Sequence, residues 1–381
     1  MKICIVTPIV PPIIGGPSTY VPKFSEIAKK MGHQCFIVAY VSKDEEETDF
    51  EVQKVQLKIP IFFRQLVMIY KILRVVKKND IDIIYPYDPI VTGFPSMIAA
   101  KILRKPVVQR IVNDPSWEVA RSLKLTDLEL DEFQNSNKKM RIRIIRILHI
   151  MVSKNADAII TPSKYIKNLV LGWGVENNKV TVVYNACDVD IGNGAIEDKK
   201  SMLPKGRKMI LTVCRFDPWK NVDEIIKAIS KIPEDVTLFV IGEGQEKDAL
   251  ERLAKKLGIE VRFLGRLDNS DVIDYMRLAD VFVLFSTYEG LSHTLLEAMS
   301  CGCPSIVSSI ESNIEIVSDN ENGLLVEPHN LGELTRKIRD IILSEEVGVR
   351  LGENAKIRAS EFTWEKTVSE SLKVFKKVIG D

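Results

Sequence analysis

The feature that most constrains this chain is a pattern that runs twice: short, continuously apolar runs, each followed by a helical stretch. In the first half ICIVT at 3–7 leads into YVPKFSEIAKKMG and then CFIVAY at 35–40. The runs IDIIYPY, PVVQRIV, DAIITPS and KVTVVYN follow, with helical segments between most of them. MILTVCRF at 209–216 restarts the series, and NVDEIIKAISKI behind it repeats Val222, Ile225, Ile226 and Ile229 at helical spacing. TLFVIG, VRFLG, VFVLFS and PSIVS supply later strands. A strand with one solvated face alternates apolar with polar residues; these runs do not, so they predict parallel strands covered on both faces. Two successive series imply an α/β chain of two doubly wound, parallel-sheet domains facing one another across a cleft.

A length of 381 residues suits two such domains. The polar stretch IGNGAIEDKKSMLPKG marks the joint, so the expected division is a first domain at 1–190, a linker at 191–206 and a second domain at 207–362. The segment 124–146 lacks a strand signal and passes from acidic to basic; it reads as a helical insertion or an active-site loop.

With 53 basic and 52 acidic residues the chain makes no overall electrostatic claim on nucleic acid, and no nucleic-acid-binding signature accompanies it. The distribution says more. Residues 58–154 hold 18 Lys or Arg against 9 Asp or Glu, whereas 155–381 hold 29 against 36. Positive potential thus gathers in the first half, where it can face a phosphate-bearing or membrane-borne partner. The six cysteines, at 4, 35, 187, 214, 301 and 303, sit mostly in apolar runs, as reduced cytosolic core residues do. Cys301 and Cys303 form a CxC with no second half, and with four histidines in the chain no metal site is expected. The opening MKICIVTPIVPP is too short and too broken by proline for a signal peptide, and no run of 18 apolar residues occurs. A cytoplasmic protein is expected, with any membrane contact peripheral.

In an open parallel sheet, ligands bind beyond the carboxyl ends of the strands. Gly15 and Gly16 precede the first helix there; they allow a tight turn and close ligand approach, although an ordinary turn reads the same way. Neither GxGxxG nor a Walker loop is present. After the strand at 209–214, CRFDPWKNVDE places Arg215 and Lys220 around a strand-to-helix turn. A forked guanidinium and a point-charge ammonium suit a diphosphate, while in isolation they read as surface cations. FSTYEGLSHTLLEAMSCGCPSIVS is the most informative segment: Glu289 ends a strand, Gly290 frees the backbone, and a helix start precedes Glu297. Such a helix start offers N–H groups to phosphate, and the two carboxylates can accept sugar hydroxyls. Trp117, Trp173, Trp219 and Trp364 are too dispersed for a stacking platform and read as packing residues; His33 and His149 are weak site candidates.

These residues carry a resemblance. Arg215 and Lys220 at their spacing, GEG at 242–244, FLG at 263–265 and EGLSHTLLE from Glu289 to Glu297 resemble family 4 of the retaining glycosyltransferases with the GT-B fold. The paired-glycine loop, YNACD at 184–188 and the tryptophan of FTWEKT extend the likeness over nearly the whole chain. The resemblance implies a nucleotide-sugar in the second domain. Arg215 and Lys220 would hold its diphosphate, Glu297 the ribose hydroxyls and Glu289 the sugar. Gly290, Leu291, Ser292, His293 and Thr294 would complete the pocket, with Gly242, Gly244, Phe263 and Gly265 near ribose or base. The first domain would bind the acceptor, bring Gly16 near the diphosphate, and receive a C-terminal helix at 363–381; closure of the two domains would follow.

One departure matters: many relatives carry a histidine after the fourth first-domain strand, where this chain reads QRIVNDPSWE. Asp114 is the polar replacement there, as an orienting group or proton acceptor. The implied mechanism is same-face attack with retention, the departing diphosphate helping to take the hydroxyl proton. Asp114, Arg215, Lys220 and Glu289 form the catalytic set, with Glu289 a sugar ligand rather than a nucleophile. It requires no metal or cofactor. The expected donor is a UDP-sugar, with GDP-mannose second; the acceptor is a hydroxyl of a glycan or lipid-linked saccharide in cell-surface polysaccharide or glycoconjugate synthesis. KKMRIRIIR at 138–146 and FFRQLVMIYKILRVVKK before it would serve an anionic membrane surface, unless their apolar residues pack inward. The competing class is a nonenzymatic nucleotide- or nucleic-acid-binding module on a similar scaffold.

Overall fold

A computed structural model describes residues 1–11, 13, 15–41, 52–136, 138–187 and 206–380. They divide into two compact units, Met1–Tyr184 with Trp364–Asp381, and Asn185–Thr363. Except for Gly206, the expected linker lies outside the described residues, as do Asp188 of YNACD and Pro12 and Ile14 of the glycine loop.

The first unit runs β1 (Lys2–Thr7), α1 (Gly16–Lys30), β2 (Gln34–Val41), β3 (Val52–Gln56), α2 (Ile61–Asn79), β4 (Ile83–Pro86), α3 (Gly93–Leu103), β5 (Val108–Arg110), α4 (Pro115–Ser122), α5 (Leu130–Asn135), α6 (Met140–Lys154), β6 (Ala158–Thr161), α7 (Lys164–Gly172) and β7 (Val180–Val182). Its parallel strands lie in the orders β3-β2-β1-β4 and β5-β6-β7, and a bridge from Ile84 to Val107 brings the two pieces edge to edge. The apolar runs became strands because both faces are covered: Ile3 to Val6 and Ile83 to Tyr85 are all buried. β3 was missed by the sequence reading. Its VQKVQ has only Val52 and Val55 as apolar residues, it pairs only with β2 at the sheet edge, and only Val55 of it is buried, so it carries neither a continuous apolar run nor a period of two. The loop holding Asp114 therefore follows the fifth strand, not the fourth. Segment 124–146 is helical in α5 and the start of α6.

The second unit runs β8 (Lys208–Val213), α8 (Val222–Ile229), β9 (Val236–Ile241), α9 (Lys247–Leu257), β10 (Val261–Gly265), α10 (Asn269–Leu278), β11 (Val281–Leu284), α11 (His293–Ser300), β12 (Ser305–Ser308), α12 (Glu311–Ile314), β13 (Leu324–Val326), α13 (Leu331–Leu343) and α14 (Glu345–Ala359). Its six parallel strands lie in the order β10-β9-β8-β11-β12-β13. α8 buries Val222, Ile225, Ile226 and Ile229, the stripe its spacing predicts, against Leu238, Val240 and Ile338. The short edge strand β13 gave no readable sequence signal.

The last helix, α15 (Trp364–Ile379), belongs to the first unit. Trp364 meets Tyr20 at 5.7 Å between ring centroids, Phe375 meets Tyr85 at 4.9 Å, and Thr367 donates Oγ1 to Tyr184 O at 2.8 Å. Among the described residues no helix is long and apolar enough to cross a membrane. All six cysteines are free.

Candidate active site

The second sheet reverses its order between β8 and β11, and a doubly wound sheet opens its ligand crevice at such a switch point. The loops that leave these two strands carry Arg215 and Lys220 on one side and Glu289 on the other. They are tied together at three places. Thr287 N donates to Trp219 O at 2.9 Å, Asn221 Nδ2 to Phe285 O at 3.1 Å, and Lys220 Nζ to Glu289 Oε1 at 2.6 Å. Asn221 holds a left-handed backbone, φ 49°, which lets the chain turn from a single 3-10 turn at Pro218–Lys220 into α8.

Sequence spacing put Arg215 and Lys220 on one diphosphate; the structure gives each cation a carboxylate of its own. Lys220 and Glu289 have side chains only 14% and 9% exposed, and Ser286 Oγ also donates to Glu289 Oε1, at 2.7 Å. Arg215 is 65% exposed and pairs with Asp217 at 2.9 Å. A guanidinium held in water exchanges partners at lower cost than an ammonium buried with its carboxylate, although Asp217 itself is only 14% exposed. Burial pushes the thiol of Cys214, just after β8, up to about 12, with Lys220 acting the other way.

α11 begins beside this pair. Ser292 caps it by accepting Leu295 N at 3.2 Å and meets Thr294 Oγ1 at 3.0 Å. Asn185, buried, donates Nδ2 to Leu291 O at 2.8 Å, and His293 Nδ1 lies 3.2 Å from Ala186 O. The YNACD segment thus holds the turn before the helix, and His293 reaches back to it. Glu297, about one turn into α11, accepts Asn269 Nδ2 at 3.1 Å from the start of α10. Sequence reading missed Asn185 in this role, Asn269 and Ser286.

Gly242 and Gly244 are required by the backbone. Gly242 has φ 135°, and a Cβ there would stand 1.9 Å from Cys214 O; one at Gly244 would stand 2.6 Å from Phe216 N. Their tight turn is closed by Phe216 N donating to Glu243 O and Gly242 N to Gly265 O. Phe263 packs edge-on to Phe216 at 6.2 Å. These four positions therefore shape the loop after β8 from behind.

In the first unit Gly16 opens α1, with Tyr87 Oη 3.9 Å from where its Cβ would be. Asp114 is fully buried and caps α4. Its Oδ1 accepts Ser116 N at 2.8 Å, Ser116 Oγ at 2.5 Å and Trp117 N at 3.1 Å; its Oδ2 accepts Gln134 Nε2 at 3.0 Å and Arg146 Nη1 at 3.4 Å. Both oxygens of this carboxylate are thus engaged in holding the start of α4 and its packing against Gln134 and Arg146. His149 is buried nearby with its ring 4.5 Å from that of Trp173, and burial holds its imidazole down to about 4. The four tryptophans are all buried.

Two doubly wound parallel-sheet units, the second with cations, a carboxylate and a capped helix start at its switch point, define the GT-B class of α/β transferases. The model described as Glycosyl transferases group 1 matches residues 195–358, and that described as Glycosyltransferase Family 4 matches residues 14–191. The chain belongs to this glycosyltransferase family. It is 30% identical over 231 residues to the N-acetylgalactosamine-N,N'-diacetylbacillosaminyl-diphospho-undecaprenol 4-alpha-N-acetylgalactosaminyltransferase of Campylobacter jejuni, spanning 60% of this chain and 62% of that protein. The chain spans about three fifths of the length of the first curated relatives it matches. In fold it is similar to sucrose-phosphate synthase from Thermosynechococcus elongatus, with TM-score 0.85, 18% identity and coverage of 100% of this chain and 99% of that one. It is also similar to Anabaena Alr3699/HepE in complex with UDP-glucose, with TM-score 0.79, 20% identity and coverage of 98% and 99%.

Proposed function

We propose that this protein transfers a hexosyl group, with retention, from a nucleotide-sugar to a hydroxyl of a lipid-linked saccharide or glycan. The observation that carries the reading is the Lys220–Glu289 pair beside the Ser292-capped start of α11. On donor binding Lys220 turns to the diphosphate with Arg215, Glu289 accepts sugar hydroxyls, and Glu297 accepts the ribose hydroxyls. Backbone N–H groups at the start of α11 meet phosphate. Cations at the diphosphate stabilise its developing charge as the anomeric bond breaks, and the same oxygens receive the acceptor proton. Glu289 holds the sugar; it forms no covalent intermediate, and the mechanism calls on no metal.

A UDP-sugar is the first choice of donor, supported by the UDP-glucose complex of the similarly folded HepE, and GDP-mannose the second. An acceptor on an undecaprenyl-type carrier at the cytoplasmic membrane face is supported by the acceptor in the name of the Campylobacter relative. Exposed Met140, Ile144, Ile147 and Met151 on α6, beside Arg141 and Arg143, support peripheral contact with anionic lipid. Calorimetry with UDP-glucose, UDP-galactose, UDP-N-acetylglucosamine and GDP-mannose should find one preferred donor. Transfer from it to a lipid-linked saccharide, followed by NMR, should give a product of the donor's anomeric configuration. Binding of none of the four removes the donor reading; an inverted product removes the same-face mechanism.

A further inference from the structure

Behind Glu289 three fully buried polar side chains stand in line. Asn313, in α12, donates Nδ2 to Ser308 O at 2.9 Å and to Ser308 Oγ at 3.3 Å. Ser308, the last residue of β12, donates its hydroxyl to Ser286 O. Ser286, just past β11, donates its own hydroxyl to Glu289 Oε1 at 2.7 Å. Lys220 Nζ reaches that same oxygen, and no hydrogen bond to Oε2 is formed among the described residues. An ionised carboxylate has acceptor capacity on both oxygens. With two donors fastened to Oε1, Oε2 is the one left to a ligand.

We propose that Ser286, held by Ser308 and Asn313, is a positioning residue that fixes which Glu289 oxygen meets the donor sugar, and so sets sugar recognition apart from nucleotide binding. This rests on Glu289 being the sugar ligand. The geometry separates the two functions. When donor binding draws Lys220 to the diphosphate, Ser286 becomes the protein donor that still orients the carboxylate. Its hydroxyl is aimed because its carbonyl is pinned from behind by Ser308. A serine that merely filled space would tolerate alanine without any change in ligand preference.

The test compares wild type, Ser286→Ala, Ser286→Thr and Ser308→Ala by calorimetry with UDP alone and with the tightest-binding donor of the four-member panel, alongside turnover and thermal denaturation. Ser286→Ala is expected to leave UDP affinity near wild type while the donor-to-UDP affinity ratio and kcat each fall about tenfold, the scale of one hydrogen bond to a charged group. Threonine, which keeps the hydroxyl, should restore both, and Ser308→Ala should give a smaller loss of the same kind. The proposal is overturned if Ser286→Ala keeps the wild-type ratio and kcat, if UDP and donor weaken in proportion, or if threonine does no better than alanine. Should Ser286→Ala fail to fold, an unchanged ratio in Ser308→Ala overturns it equally. A wild-type protein that binds no nucleotide-sugar overturns the reading of Glu289 and this proposal with it, whereas the outcomes above leave that reading standing.

Discussion

Lys220 donates to Glu289 Oε1 at 2.6 Å across the switch point of the second sheet, so the cation assigned to the diphosphate and the carboxylate assigned to the sugar satisfy each other before a donor arrives. Removing one partner strands the other in a site that water barely reaches. Lys220→Ala and Glu289→Ala should each lower stability by about 1–3 kcal/mol, and the double variant should cost less than their sum. Urea unfolding of the four proteins measures this coupling; strict additivity would mean that the pair contributes nothing to the ligand-free fold.

Arg215 should behave differently although it is five residues away. Its guanidinium is 65% exposed, although Asp217 beneath it is only 14% exposed, and a pair open to water on its cationic side contributes about 1 kcal/mol. Arg215→Ala is therefore expected to leave the melting temperature unchanged while weakening UDP binding by about one to two orders of magnitude. Wild-type UDP affinity in this variant would remove Arg215 from the diphosphate site.

The contrast between these two cations shows where sequence was legible. Runs such as ICIVT and the stripe on α8 report burial directly, so most strands and most helices could be read. VQKVQ, half solvated at an edge, could not. Within the candidate site, Glu289 and Glu297 are local in sequence and could be singled out from their spacing. Ser286 with Ser308, or Asn269 with Glu297, meet only because parallel strands bring distant loops to one end of the sheet, and no spacing encodes that. Asp114 did have a local signal that was passed over: Asp before Pro115, with Glu118 in the first turn, is a helix-start pattern.

For that reason Asp114→Asn separates fold from chemistry. Asparagine still caps α4 but loses the charge toward Arg146, so stability should fall by about 1 kcal/mol while turnover of the folded variant stays within about threefold of wild type. Loss of turnover by about a hundredfold at unchanged melting temperature would return Asp114 to the reaction.

His149 should make the first unit sensitive to acid. Burial holds its imidazole at about 4 against an ordinary 6.5; Asp114 pulls the value up and Arg146 pushes it down. Between those values the unfolded chain takes up a proton that the folded chain refuses. This contribution is therefore complete above pH 6.5 and is lost as pH falls toward 4. His149→Phe keeps a ring against Trp173 and removes the titration. Its stability should fall less between pH 7 and pH 5 than that of wild type, as read by urea unfolding at both values; an identical drop in the two proteins would assign the acid sensitivity elsewhere.

The surface of α6 bears on what this protein meets. Sequence left two readings of its cations and apolar residues, and the structure contains both: Ile142 and Val152 face inward, while Met140, Ile144, Ile147 and Met151 recur along an exposed stripe. Arg141 and Arg143 are exposed with them, whereas Arg146 is turned to Asp114 and Gln134. α3 packs against both α2 and α6, and these neighbours add exposed Phe63, Leu66 and Tyr70 on α2 and Ile102 on α3. Apolar side chains can enter the interface while flanking cations meet anionic headgroups. Flotation with anionic vesicles at low salt should therefore recover the protein, and neutral vesicles or raised salt should reduce recovery. Ile144→Asp combined with Ile147→Asp should abolish it without changing UDP affinity. If wild type instead sediments as a dimer that this double variant dissociates, and shows no flotation, the stripe joins two copies of the chain and the acceptor need not reside in a membrane.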